Sequence, residues 1–194
     1  QALTSLNLKG CMQIHDVSFV QHCKELTTLN LSYCKQINDL SFLQYCKKLT
    51  ALDLIGCGLI IDASFLQHCR GLTSLNLSLC RQINDFSFLQ YCKGLTSFYL
   101  SECTKITDFS FLQHCQELTN LDLSKCEQIK DLSFLQFCKE LTNLNLSRCR
   151  GVDDFSFLLQ YPFLTSVDLT DCFQIKDVSQ ILRNRGIKVI DIKR

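Results

Sequence analysis

Leu26-Thr27-Thr28-Leu29-Asn30-Leu31-Ser32-Tyr33-Cys34 and the stretch that follows it, Lys35-Gln36-Ile37-Asn38-Asp39-Leu40-Ser41-Phe42-Leu43-Gln44-Tyr45-Cys46-Lys47-Lys48, decide the fold. Leu29 and Leu31 flank Asn30 in the period-2 pattern of a strand buried on one face. The whole 23-residue unit then recurs without insertion or deletion. Its leading leucine is Leu3, Leu26, Leu49, Leu72, Leu95, Leu118, Leu141 and Leu164, with Ile187 at the ninth place. A unit this short cannot bury its apolar face alone, so neighbours must stack into a solenoid.

The rest of the unit returns the chain to the next strand. Cys11, Cys34, Cys57, Cys80, Cys103, Cys126, Cys149 and Cys172 share one turn position and are expected to stack, and an Ile or Val three residues later points into the core. Asp16, Asp39, Asp62, Asp85, Asp108, Asp131, Asp154 and Asp177 precede the outer segment, where a carboxylate can cap backbone N–H groups. Leu40, Leu43 and Cys46 keep a three-residue spacing, which eclipses on one face of a 3₁₀ turn or short helix.

Eight repetitions in fixed phase resemble leucine-rich repeats over the whole chain. The LxxLxLSxC half is similar to the cysteine-containing repeats of F-box substrate receptors, and the shorter outer half to those of bacterial internalins. Phe19, Phe42, Phe65, Phe88, Phe111, Phe134 and Phe157 stand where proline often stands in the short repeats. The resemblance implies an α/β, right-handed leucine-rich-repeat solenoid, a shallow horseshoe with a parallel sheet on its concave face and short helices or 3₁₀ turns outside. One array is expected over residues 1–194, eight units and a terminal strand at 187–192.

The net charge of +1, with both signs interspersed, argues against broad nucleic-acid binding, and no apolar run reaches membrane-spanning length. The tail is locally basic, with Arg183, Arg185, Lys188, Lys193 and Arg194 against Asp191, and reads as a charged edge that discourages sheet extension. Gln180 and Asn184 replace apolar residues in the last unit, as a capping unit requires, whereas Leu3 enters a strand at once. A trimmed array from a longer protein, or a solenoid with an unprotected first edge, both fit that beginning.

Fourteen cysteines form no C-x-x-C pair, and the two within a unit are on opposite sides of the coil. They read as small apolar residues with a weak S–H donor, all free, in a reducing compartment. Asn30, Asn76 and Asn145 head glycosylation sequons that lie in strands, where glycans would crowd the inner face, so a cytosolic location is expected, a host cytosol if the chain is an effector. His22, His68 and His114 alternate with Tyr45, Tyr91 and Phe137, a 46-residue superperiod that sets the histidines about 10 Å apart, too far to share a zinc ion. No metal or cofactor is expected. Gly56-Cys57-Gly58 is an irregular turn far short of a nucleotide-binding loop, every cysteine and almost every Asp is a repeat position, and His15 beside Asp16 is the one singular His–Asp neighbourhood, so no enzyme is expected.

Binding is therefore expected on the inner sheet face, which is mostly small and polar, as at Ser5, Asn7, Thr28, Asn30, Asn120 and Asp122. Tyr99 replaces the usual Asn or Asp, Ile55 replaces Ser or Thr, and Leu79 and Tyr33 occupy a bend position that is charged or Gly elsewhere. Ile55, Leu79 and Tyr99 come from consecutive units and are expected to form one apolar patch, with Tyr33, Asp53 and Glu102 at its rim. Aromatic and aliphatic anchors of this kind suit a protein partner. The expected function is a monomeric protein-interaction module, an adaptor, substrate receptor or effector repeat domain, with no nucleic acid or membrane involved. A structural or engineered array with no evolved ligand is the alternative.

Overall fold

Three residues in each unit take extended geometry, centred on an apolar residue, most often leucine, whose side chain enters the core. The computed structural model describes residues 2–173 and 175–192. Its strands are β1 (Ser5–Asn7), β2 (Thr28–Asn30), β3 (Ala51–Asp53), β4 (Ser74–Asn76), β5 (Ser97–Tyr99), β6 (Asn120–Asp122), β7 (Asn143–Asn145), β8 (Ser166–Asp168) and β9 (Lys188–Ile190). They form one parallel sheet in chain order. Leu6, Leu29, Leu52, Leu75, Phe98, Leu121, Leu144 and Val167 lie in register across it. Each connection must therefore pass over the same side of the sheet, which makes a coil.

Two threads tie successive coils together besides the strand ladder. The first is a row of threonines: Thr27 Oγ1 donates to the carbonyl of Thr4 at 3.0 Å, and the same bond recurs through Thr165 to Thr142 at 2.9 Å. The second is the cysteine stack. Cys34 Sγ donates to the Leu8 carbonyl at 3.1 Å, and each later turn cysteine reaches the equivalent leucine, up to Cys172 to Leu146 at 3.0 Å. A thiol is small enough for this gap and polar enough to give the turn carbonyl a second donor. In the outer row Tyr161 stands in place of a cysteine and makes the equivalent bond, from its phenol to the carbonyl of Leu135.

The outer segment is a five-residue 3₁₀ helix in seven units, from Ser18–His22 to Ser156–Gln160. The repeat aspartates start it differently from the expected cap. Asp16, Asp39, Asp62, Asp85, Asp108, Asp131 and Asp154 each accept the backbone N–H of the serine two residues on, at 2.7 to 2.9 Å, from one place before the helix's flanking residue. Asp177 instead falls inside the first turn of an α-helix, α1 (Lys176–Asn184), where its charge suits the positive helix end.

The last unit also corrects the expected phase. β8 pairs Ser166 with Lys188 and Asp168 with Ile190, an offset of 22 residues where every earlier pair is offset by 23. Ile187 is thus outside β9, and the strand is shorter than 187–192. Gly186 explains the lost residue. Its φ of +79° and the bonds Gly186 N–H to Arg183 and Ile187 N–H to Leu182 end α1 in a tight left-handed turn that leads straight into the strand. Two cations of the basic tail are engaged: Arg183 pairs with Asp191 at 2.5 Å and Arg185 donates to the Leu159 carbonyl at 2.6 Å, while Lys193 and Arg194 lie outside the described residues.

The core is continuous from Val17 to Ile187. In the middle units aromatic rings replace aliphatic filling. Phe86 stacks on Phe111 with centroids 4.5 Å apart, Phe109 stacks on Phe134 at 4.8 Å, and Phe98 meets Phe86 and Phe111 edge-on. Phe98 precedes Tyr99, so the unit that departs most on the outside of the sheet also departs within.

Candidate functional site

The expected site residues fall into two rows and a link. Asp53, Asn76, Tyr99, Asp122, Asn145 and Asp168 occupy one register line along the sheet face. Tyr33, Gly56, Leu79 and Glu102 occupy the following turn, one per unit. Ile55 joins the two, since its carbonyl accepts the Tyr33 N–H at 2.6 Å and its own N–H donates to Asp53 Oδ1 at 3.1 Å. The structure thus brings Tyr33, Ile55 and Asp53 into contact. Tyr99 is two strands from Asp53, and the shallow depression beside it, about 180 Å³, opens toward Asn120, Asp122, Asn143, Asn145 and Asp168 and away from Ile55 and Leu79.

The turn row has a backbone property that residue types alone did not announce. Tyr33, Leu79, Glu102, Lys125, Arg148 and Asp171 all have φ between 57° and 65°, and Gly10 and Gly56 have φ of 76° and 71°. This is the left-handed region, unfavourable for any residue with a Cβ by about 1 kcal/mol or more. Its side chains divide in two. Glu102 bonds Arg81 and Lys125, and Arg148 meets Asp171 at 3.1 Å, so the later units are ion-paired. Those two cations hold the Glu102 carboxyl below its ordinary pKa. The earlier units carry Tyr33, Gly56 and Leu79. A Cβ on Gly56 would come within 2.8 Å of the Tyr33 ring, so the ring lies down over the glycine.

The strand row shows what most of the polar face is for. Oδ1 of Asn7, Asn30, Asp53, Asn76, Asp122, Asn145 and Asp168 accepts the N–H two residues on, at 2.8 to 3.1 Å, and so shapes the turn that follows. Tyr99 lacks that acceptor. The Ser101 N–H turns instead to Ser78 Oγ at 3.2 Å, and Ser124 Oγ bonds Ser101 Oγ at 2.8 Å. Ile55 interrupts this serine row. Ser32, one unit earlier, keeps a buried hydroxyl with no partner.

Most of the cysteines are shielded from solvent. All fourteen are free thiols, twelve of them buried and Cys11 and Cys23 partly so. Burial pushes Cys46 and Cys92 up to about 11 and Cys57, Cys69 and Cys103 up to about 12, which suppresses the nucleophilic thiolate. Among the described residues no group of three or more His, Cys, Asp or Glu side chains is placed to hold a metal ion, and no helix is long and apolar enough to cross a membrane.

A family model of leucine-rich repeats in two copies matches residues 1–45. The repeating strand-and-turn fold runs from β1 to β9. This chain is a leucine-rich-repeat solenoid. Its similarity to internalin C2 of Listeria monocytogenes covers 97% of this chain and 80% of that one, with 24% identity and a TM-score of 0.77. The receptor kinase HAESA of Arabidopsis, solved in complex with a peptide hormone and a co-receptor, is similar over 100% of this chain and 35% of its own, with 18% identity and a TM-score of 0.64. At such identities the likeness concerns the leucine-rich-repeat fold alone. No curated protein sequence matches the chain significantly.

Proposed function

We propose that this leucine-rich-repeat array is a protein-binding module, of the adaptor, substrate-receptor or effector type, acting in a cytosol and without catalysis. Its binding surface is the open sheet face around Ile55, Leu79 and Tyr99, with Tyr33, Asp53 and Glu102 beside them. One observation carries this reading: Tyr99 replaces a residue with a repeated structural task. Tyr99 gives up a turn acceptor that seven other units keep. Ile55 stands where a hydroxyl stands in the units that follow, and Ser32 one unit earlier has a buried hydroxyl with no partner. Local departures that cost stability are expected where a surface serves binding. The array with a peptide-hormone complex among its structural neighbours is consistent with such a surface.

The test uses Tyr99→Asn, Ile55→Ser and Leu79→Lys in retention assays against the wild type. Tyr99→Asn restores the turn acceptor, so the fold is kept while the aromatic anchor is lost. A partner retained by the wild type should bind at least about 2 kcal/mol more weakly to Tyr99→Asn, the scale of an aromatic hot spot. Equal retention by all three variants would place the partner elsewhere, most plainly on the cysteine-turn edge. It would then favour the alternative of an array whose face has no evolved ligand.

A further inference from the structure

The turn that follows each strand needs only an acceptor oxygen, and asparagine supplies it at Asn7, Asn30, Asn76 and Asn145 as well as aspartate does at Asp53, Asp122 and Asp168. The negative charge at the three aspartates is therefore surplus to the fold. Among the described residues nothing neutralises it. Oδ2 of Asp53 and of Asp168 receives no hydrogen bond or ion pair among the described residues, and Oδ2 of Asp122 receives only the neutral Asn145 amide at 3.2 Å. Between Thr28 and Thr170 the outward strand positions and the residue after each strand's second core side chain carry no Lys or Arg; Lys9 and Lys188 stand only at the two ends. The turn row is the opposite case, since there Glu102 with Arg81 and Lys125, and Arg148 with Asp171, are matched. The same fold thus pairs its charges on one row and leaves them unpaired on the next, beside Tyr99.

We propose that the segment bound on this face is an extended cationic peptide, with Lys or Arg set against Asp168 and Asp122 and an apolar or aromatic side chain on Tyr99. This deepens the binding role proposed above and rests on it. The spacing follows from the sheet. Asp122 and Asp168 are two strands apart, roughly 9.5 Å, which is about three residues of extended chain crossing the strands. Tyr99 is one strand beyond Asp122, roughly 4.8 Å, or one to two residues more. The segment that fits carries two cations three residues apart and an apolar residue two further on.

The probe is a fluorescein-labelled hexapeptide, Lys-Ser-Ser-Lys-Ser-Phe, compared with its Gln-Ser-Ser-Gln-Ser-Phe counterpart by fluorescence anisotropy on the intact chain at about 0.1 M salt, where charges more than about 10 Å apart are screened. The variants are Asp122→Asn, Asp168→Asn and Asp62→Asn, all of which keep the Oδ1 acceptor. Asp122→Asn and Asp168→Asn should each weaken the Lys peptide about threefold, the scale of one exposed ion pair, and together about tenfold. Asp62→Asn makes the same change in net charge but stands before the outer 3₁₀ segment, on the far side of the coil from the sheet face, and should leave the affinity unchanged. Equal binding of the two peptides, both lost in Tyr99→Asn, would overturn the charge assignment while leaving the face reading intact. Lys-peptide binding indifferent to Asp122, Asp168 and Tyr99 alike would overturn both. Failure of the Lys peptide to bind at millimolar concentration would overturn the proposal.

Discussion

Ser32 and Ser78 hold equivalent places after β2 and β4, yet the same substitution should move them in opposite directions. Ser32 is 1% exposed and its hydroxyl has no partner, whereas Ser78 Oγ accepts the Ser101 N–H at 3.2 Å. An unsatisfied buried hydroxyl costs about 1 to 3 kcal/mol, and a satisfied one contributes about 1 kcal/mol net. Part of the gain at Ser32 is offset by the small space that an oxygen leaves, so Ser32→Ala should stabilise by about 1 kcal/mol. Ser78→Ala should destabilise by about 1 kcal/mol, because the Ser101 N–H then loses its acceptor. For a chain of this size each change is about 2 to 4 °C in Tm, readable by calorimetry and checked by urea midpoints from two spectroscopic probes. The cause assigned to the orphan is Ile55, and that can be isolated. In an Ile55→Ser background Ser32 gains a hydroxyl neighbour, so Ser32→Ala should no longer stabilise, giving a coupling of about 1 kcal/mol in the double-mutant cycle. Stabilisation by Ser32→Ala of the same size in both backgrounds would refute the interruption, and shifts of one sign at Ser32 and Ser78 would refute the hydrogen-bond account altogether.

Gly56→Ala should destabilise by about 1 to 2 kcal/mol in chemical unfolding, since its φ is 71° and the new Cβ meets the Tyr33 ring; adding Tyr33→Ala should remove the steric part and leave the backbone part. Alkylation without reductant, followed by mass spectrometry, should label Cys11 and Cys23 quickly and the other twelve thiols only after denaturant, with no disulfide found. Serine N–H groups hold Asp16, Asp108 and Asp154 below the ordinary carboxylate range, Asp131 is held there chiefly by the Ser133 hydroxyl, and Lys125 and Arg81 do the same for Glu102. Their folded-state values are depressed, so their contribution is full above the ordinary carboxylate pKa and is lost as pH falls through the lowered ones; thermal melts should therefore weaken on acidification below about pH 4, and a flat profile there would contradict it.

The repeat unit made the architecture legible because each of its signals is structural and occurs eight times. Leu29 and Leu31 on either side of Asn30 give the strand, the three-residue spacing of Leu40, Leu43 and Cys46 gives the 3₁₀ segment, and both stand in the structure. What escaped the sequence is set by backbone geometry. Leu79 and Tyr33 read as a bend, but no residue type announces φ near +60° when six of eight units place a side chain there. The phase of β9 escaped for a related reason: Ile187 continues the apolar count, while the shortening is made by the hydrogen bonds around Gly186. The face residues were half legible. Asn and Asp looked alike as polar surface, and only the bond from Oδ1 to the turn shows that one oxygen is committed to the fold and that the charge at Asp122 and Asp168 is not. That distinction changes how drift is judged. A substitution at a free surface position has no structural cost, so its survival says nothing. Tyr99 occupies a position whose hydrogen bond recurs in seven other units, and it gives that bond up, so its aromatic ring is the side chain from which a partner should be sought first.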